Sequence, residues 1–449
     1  MQTKTHAVNP KAAVPVLLFS FVFCLVVDNG FKTMTGPMAT GLGIDPNTAS
    51  LQASLAGVII GIGAVVYAAL SDSIPIRKLM LIGVGLIVAG SLLGFFFSGS
   101  WPMVLTGRII QTTGLAAAET LYVIYVRKHL KESDQKTYLG FSTAAFQSGL
   151  LIGALTSGIL STYVSWTVMF LVPLVLVLTI PFLIKNVPVD EAVEGHLDVL
   201  GLFLIAVFAA SLTMFMQAFN YLWAIPAVLA ILAFAFHVAK GREPLVTPEF
   251  FRNGRYVFAI ILVFIVYSTQ LGFIFMLPFA ANDLHGMEQD KAAYLMIPGY
   301  ICAILVGVGS GAIGKKLNSR ITIILALASI GGSLVLSALF IATSVAVLVI
   351  AIIFFASGFA LLYAPLVNTA LSTIPATKSG IAIGFYNLII NISIPLGIAY
   401  TAKMQAVGMS YSAVLWVLAV IVGIGALIYI IADRSLLAKE TRAGVVINA

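Results

Sequence analysis

Two carboxylates, Asp28 and Glu119, stand inside apolar stretches of this 449-residue chain, where holding an ionised side chain costs several kcal/mol. Two bases share those stretches: Lys32 follows Asp28 by one helical turn, and Arg108 precedes Glu119 by three. The other acidic residues fall in loops or at segment edges, with Asp72 at the foot of one segment as the borderline case. Asp28 and Lys32, at i and i+4, lie on one helix face and can pair. The pair is either a self-neutralising structural link or part of a cavity wall, with Asn29 between its members and Thr33, Gly36 and Pro37 adding polarity and a bend. Arg108 and Glu119 share a stripe but stand about 16 Å apart along the axis, too far for contact. Glu119 therefore needs another partner, for which Lys32 is a candidate, or it carries a proton. Burial favours the neutral carboxyl and a nearby cation the ionised one, so a group balanced between them can load and release protons near neutral pH. A permanently neutral Glu119 making a packing hydrogen bond is the alternative. The combination points to a proton-coupled carrier.

The elements that position these groups are membrane helices. The chain is 60% apolar and 9% charged, a composition of polytopic membrane proteins and not of soluble domains. Fourteen apolar runs of about 20 residues, the length of a bilayer-spanning helix, are separated by short loops. The first lacks a cleavage site and is expected to be retained. Polar breaks at 186–198 and 240–256 divide the runs six, two and six: a first six-helix bundle over 1–186, two central helices over 187–256, and a second bundle with a tail over 257–449. A weak echo links the ends of the second helix of each six, at Ser71–Lys78 and Gly314–Asn318, as in carriers built from repeated halves. The net charge of +7 is a topology signal and not a nucleic-acid footprint. Lys32 and Arg108 are intramembrane, and only Lys291 and Lys403 fall outside; the other Lys and Arg crowd one side, which the positive-inside pattern makes cytoplasmic, with both termini. Cys24 and Cys302 read as small core residues, and no metal-ligand spacing occurs.

The remaining candidates are polar groups and small residues at membrane depth. Gly149 and Gly153 make a small-xxx-small face that permits close helix approach, continued by Gly158 and flanked by Gln147. Gln111 lies one turn beyond Arg108. The second bundle offers polar groups without acids: Tyr267 and Gln270, Tyr363, Tyr386, Asn387 and Asn391. Asn387 and Asn391 share a face, and each amide is either an interhelical bond or a substrate contact. The aromatics suit a flat, partly apolar or cationic ligand.

Several of these residues fall in recognisable motifs. Leu70-Ser71-Asp72 with Ile76-Arg77-Lys78, Arg108-x-x-Gln111 with Gly114, Gly149-x-x-x-Gly153-Ala154-x-x-Ser157-Gly158, and the spacing from Asp28 to Pro37 resemble signatures of the major facilitator superfamily, in its fourteen-helix drug:proton antiporter branch. Ser73, Pro75, Ala154 and Ser157 depart from the usual residues. Asp198-x-x-Gly201 resembles the entry to that branch's extra helix pair. Within the branch the chain is similar to Gram-positive tetracycline-efflux pumps, with Ala53 to Leu139 resembling the chromosomal staphylococcal kind.

The resemblance implies an all-α integral membrane fold of fourteen helices and proton-driven export of tetracycline or other amphipathic compounds across a bacterial cell membrane by alternating access. It also implies no cofactor beyond the proton gradient, with tetracycline carried as a divalent-metal chelate, and a protein functional as a monomer in the bilayer. Glu119, Asp28 and Arg108 would couple protons; Lys32, Asn29, Gln111, Gln147, Tyr267, Gln270, Tyr363, Tyr386, Asn387 and Asn391 would line the cavity; Asp72, Arg77, Lys78, Gly149, Gly153 and Gly158 would gate it. Lys315, where plasmid-type pumps carry an acid, and Lys32 leave open an exporter of an anionic or lipid-like compound such as a fatty acid or siderophore. A membrane transferase is the remote alternative, since the five histidines are scattered.

Overall fold

The computed structural model describes residues 10–44, 46–189, 198–218, 220–241, 244, 251–287, 294–375 and 379–442. The Asp72 side chain lies outside the described residues, as does much of both polar breaks. The described secondary structure is helical throughout. Its helices are α1 Val14–Thr33, α2 Thr35–Leu42, α3 Pro46–Ser73, α4 Ile76–Phe96, α5 Trp101–His129, α6 Glu132–Tyr163, α7 Ile180–Asn186, α8 Val199–Ala218, α9 Ala224–Lys240, α10 Gly254–Tyr267, α11 Gln270–His285, α12 Ile297–Lys316, α13 Ser319–Phe340, α14 Val345–Leu371, α15 Ser379–Ala406 and α16 Tyr411–Arg442. Twelve described stretches are long and apolar enough to cross a bilayer. The other two expected spans fall on α8 and α15, whose described apolar stretches, Val199–Leu212 and Gly380–Ile394, are shorter.

Local chemistry sets the boundaries. Asn253 and Asn318 cap α10 and α13 by accepting from Tyr256 N at 3.1 Å and Ile321 N at 2.9 Å, satisfying amides that a helix start leaves unpaired. The first span breaks at Met34, between α1 and α2, just before the Gly36-Pro37 pair. The sixth is tight 3-10 helix over Trp166–Phe170 and Val172–Thr179 before it relaxes into α7.

Extensive helix contacts fall both within and between two groups, α1–α7 as a first set and α10–α16 as a second. In the first, α1 lies on α6, α3 on α5, and α4 on α5; in the second, α13 lies on α14 and α16, α12 on α14, and α10 and α11 on α15. The sets meet along α3–α15 and α6–α12. The second span of each set thus meets the fifth of the other, as two-fold-related repeats produce. The crossings are made by small residues near the basic loops. A methyl on Gly140 would strike Ser310, and one on Gly307 or Gly311 would strike Ala144 or Thr137; Gly384 presses on Ala64, Val65 and Ala68. The two central helices pack on each other, and α8 touches both α3 and α15.

Candidate functional site

The first set builds its polar centre by close helix packing. The backbones of α4 and α5 meet with no side chain between them, since a methyl on Gly90 would run into Gly107 and Gln111, and one on Gly114 into Gly83 and Ile87. This approach puts Ser91 against Gln111, whose Nε2 donates to Ser91 Oγ at 2.8 Å. Gln111 is thereby turned so that its Oε1 accepts from Arg108 Nη1. Arg108 Nε donates to Gln52 Oε1 at 3.1 Å, and its guanidinium lies 4.0 Å over the Phe31 ring. Gln52 in turn donates to the Phe31 carbonyl at 2.8 Å and to Thr35 Oγ1 at 3.3 Å. Arg108 is only 1% exposed, so these contacts replace part of the water it has lost, while its Nη2 has no hydrogen-bond partner among the described residues.

Asp28 stands between two cations. Its Oδ2 is 2.6 Å from Lys32 Nζ, and its Oδ1 is 3.7 Å from Arg108 Nη2. Asp28 is buried at 5% side-chain exposure, whereas Lys32 is 33% exposed. Asn29, also buried, donates to the Leu25 carbonyl at 2.9 Å, back along its own helix.

Glu119 is different. It is partly buried and makes no hydrogen bond or ion pair among the described residues. It lies within electrostatic range of Asp28 and Lys32 on α1, of Cys24, and of Tyr363 on α14 in the second set. Lys32 pairs with Asp28 at 2.6 Å, as the i,i+4 spacing allows, and stays within electrostatic range of Glu119 without contacting it. Reaching Glu119 means crossing to another helix.

The second set contributes tyrosines and amides. The Tyr363 and Tyr386 rings meet edge-on at 6.1 Å, and Tyr267 meets Phe359 in the same way at 5.2 Å. Asn391 Nδ2 donates to the Asn387 carbonyl at 3.0 Å, on the face that meets Gly61 of α3. Buried polar atoms gather here without hydrogen-bond partners among the described residues: Tyr386 OH, both amide atoms of Asn387, and Oε1 of Gln270 in the second set, with Gln147 Oε1, Thr120 Oγ1 and Thr143 Oγ1 in the first. Such atoms are costly to leave bare, and bound water or ligand satisfies them.

Of the expected gating residues, Arg77 donates to the Val187 carbonyl at 2.6 Å, tying the start of α4 to the chain after α7, and Lys78 is exposed. Lys128 Nζ donates to the Ser71 carbonyl at 3.1 Å beside Asp72. Gly149 and Gly153 pack against Leu25, Val26 and Gly30, so their seam joins α6 to α1 inside the first set; Gly158 has open space where its side chain would be. Between the sets, Arg127 Nη1 reaches Asn368 Oδ1 at 3.4 Å while donating to Gln135 Oε1 at 2.9 Å. Gln52, Ser91, Arg127 and Gly140 stand in the site or at its closure without belonging to the sequence motifs. Gln52 had a signal, an amide inside the second apolar run. Ser91 and Gly140 are ordinary small membrane residues whose roles appear only with their neighbours.

Paired helical bundles around a polar centre with embedded charges have the build of a polytopic membrane transporter. The chain belongs to the Major Facilitator Superfamily, whose sequence model matches residues 17–398. It is 22% identical over 416 residues to the riboflavin transporter RibZ of Clostridioides difficile (strain 630), covering 90% of each chain. It is likewise 22% identical over 423 residues to the quinolone resistance protein NorB of Staphylococcus aureus (strain MRSA252), again covering 90% of each. In fold it is similar to the human organic anion transporter MFSD10 (TETRAN), with a TM-score of 0.72, 13% identity, and 94% of this chain and 99% of that one covered. A bacterial homologue of the iron transporter ferroportin, in an outward-facing state, gives a TM-score of 0.66 at 12% identity, covering 94% of this chain and 99% of that one.

Proposed function

We propose that this transporter is a proton-coupled efflux antiporter of the fourteen-helix branch, arranged six, two and six, working as a monomer in a bacterial cell membrane with both termini cytoplasmic. Its substrates are amphipathic aromatic compounds, with tetracyclines, carried as metal chelates, and quinolones as the drug classes. The observation that carries this reading is the contrast between the two embedded acids. Asp28 is held by two cations, whereas Glu119 has no partner in the described structure and lies within electrostatic range of a tyrosine of the opposite set. An unpartnered carboxyl at membrane depth is a group free to exchange a proton. Substrate binds from the cytoplasmic side with Glu119 ionised; opening outward lets an external proton neutralise it and displace the substrate. Each elementary charge moved inward adds about 2.3 kcal/mol per 100 mV of driving force. Arg108 fixes the position of Asp28, and the Asp72, Arg77 and Lys78 region with the α1–α6 glycine seam serves the gating motion.

Uptake of a fluorescent quinolone or tetracycline into everted vesicles, the equivalent of export from the cell, tests this. Glu119→Gln abolishes proton-driven export while the protein still inserts and purifies normally; export at the wild-type rate removes Glu119 from its role. The one-third exposure of Lys32 favours a second reading, an exporter of a fatty acid or siderophore anchored by its carboxylate. In that case Lys32→Ala abolishes anion transport alone.

A further inference from the structure

The accessible charges of the polar centre come as one cation and one anion held on different helices. Arg108 is sealed beneath Gln52, Gln111 and Phe31, and Asp28 is engaged by Lys32 and Arg108. The Asp28–Lys32–Arg108 group carries one positive charge in excess, and its exposed outlet is the Lys32 ammonium. That ammonium has three donors, of which Asp28 engages one. Glu119, on α5, supplies the separate negative pole and lies within electrostatic range of both Asp28 and Lys32 without touching either. The described charges inside the second set's spans lie toward the helix ends, where buried Asp433 pairs with Arg255 at 3.8 Å and Arg320 at 2.9 Å; nearer the polar centre the set offers Tyr363, within electrostatic range of Glu119 and edge-on to Tyr386, and bare amide atoms of Gln270 and Asn387.

We propose that the substrate read by this site is a flat zwitterion, its carboxylate docked on Lys32, its ammonium on Glu119 and its aromatic body against the tyrosine edges of the second set. The inference rests on the antiporter reading above and names its substrate class. A simple cation finds Glu119 but also the excess positive charge of the Lys32 group; a simple anion finds Lys32 but also Glu119. Each is disfavoured by one pole, whereas a molecule with both charges satisfies both, so the specificity is built from repulsion as well as attraction. Protonation of Glu119 removes the hold on the ammonium and leaves the carboxylate as the only charged contact, which releases the substrate.

The charge balance of the cycle follows. One proton enters on Glu119 and a molecule of zero net charge leaves, so one positive charge moves toward the basic-loop side per turnover. A monocation exported by the same exchange would move none.

Three matched probes test this in proteoliposomes and in equilibrium binding: a piperazinyl fluoroquinolone (zwitterion), its methyl ester (cation) and its N-acetyl derivative (anion). The parent compound is expected to bind and be transported at least tenfold better than either derivative, and a potential negative on the basic-loop side accelerates its transport severalfold. Lys32→Ala reduces the tenfold preference for the parent over its ester to near unity, and Lys32→Arg restores it, which a merely structural loss would not do. Equal handling of parent and ester, or parent transport indifferent to the potential, overturns the proposal. If none of the probes moves protons, the antiporter reading fails, and the binding preference for the parent over both derivatives alone decides the zwitterion site.

Discussion

At the scale of single residues, the two embedded acids divide their labour by what surrounds them. Asp28 is fixed between cations, whereas Glu119 makes no hydrogen bond or ion pair among the described residues and, in the proposed cycle, exchanges with solvent or substrate. If substrate binding requires ionised Glu119, binding releases a proton, and apparent affinity rises with pH through the titration of that carboxyl. In Glu119→Gln the affinity becomes flat across the same range, which fluorescence titration at several pH values would measure. The Arg108 cage makes a second expectation. Gln52→Ala removes the acceptor of Arg108 Nε and leaves a buried charge less well satisfied, at a cost of about 1–3 kcal/mol. A lowered thermal midpoint checks it; an unchanged midpoint means that water replaces the amide. Much of this site was legible from residue type, because any ionisable group in an apolar run stands out. Its pairing was legible only where both members lie on one helix, as for Asp28 and Lys32. The Asp28–Arg108 contact and the bridging by Gln52 join three helices, and no spacing within one segment encodes such a meeting.

At the scale of elements, glycines decide which helices approach. The Gly149/Gly153 face was readable as a close-packing seam, but its partner was not: a small-xxx-small pattern states that something comes near without saying what. The structure puts α1 there, which holds the Asp28 helix against α6. The contacts that bring the two sets together belong instead to Gly140, Gly307, Gly311 and Gly384. Gly140→Leu has no room beside Ser310 and Gly307 and is expected to prevent closure at the basic-loop end. Transport falls to background, while the contacts within each bundle, such as α4–α5 and α13–α14, stay formed. Labelling of a cysteine introduced at Ala144 reads this directly: fast in the Gly140→Leu background and slow in the parent. Equal labelling in both would place the closure elsewhere. By the same logic Gly90→Leu forces α4 from α5, with an overpacking cost of about 1–3 kcal/mol and loss of the Gln111–Arg108 geometry.

At the scale of the whole molecule, composition and the apolar runs were enough to read a multi-pass helical membrane protein, and the α3–α15 and α6–α12 contacts are those that a two-fold repeat would produce. The sequence was less able to say how the sets close, because closure depends on residues that look neutral in isolation, such as Arg127 at a helix end and Ser310 among glycines. The proposed cycle turns on Glu119 being the group whose proton is exchanged for substrate. The most direct measurement is proton release on adding substrate to purified protein in weakly buffered solution, read by a pH indicator. The account predicts that wild type releases protons in proportion to substrate bound, and that Glu119→Gln binds with no release. Release of the same size from Glu119→Gln would contradict it.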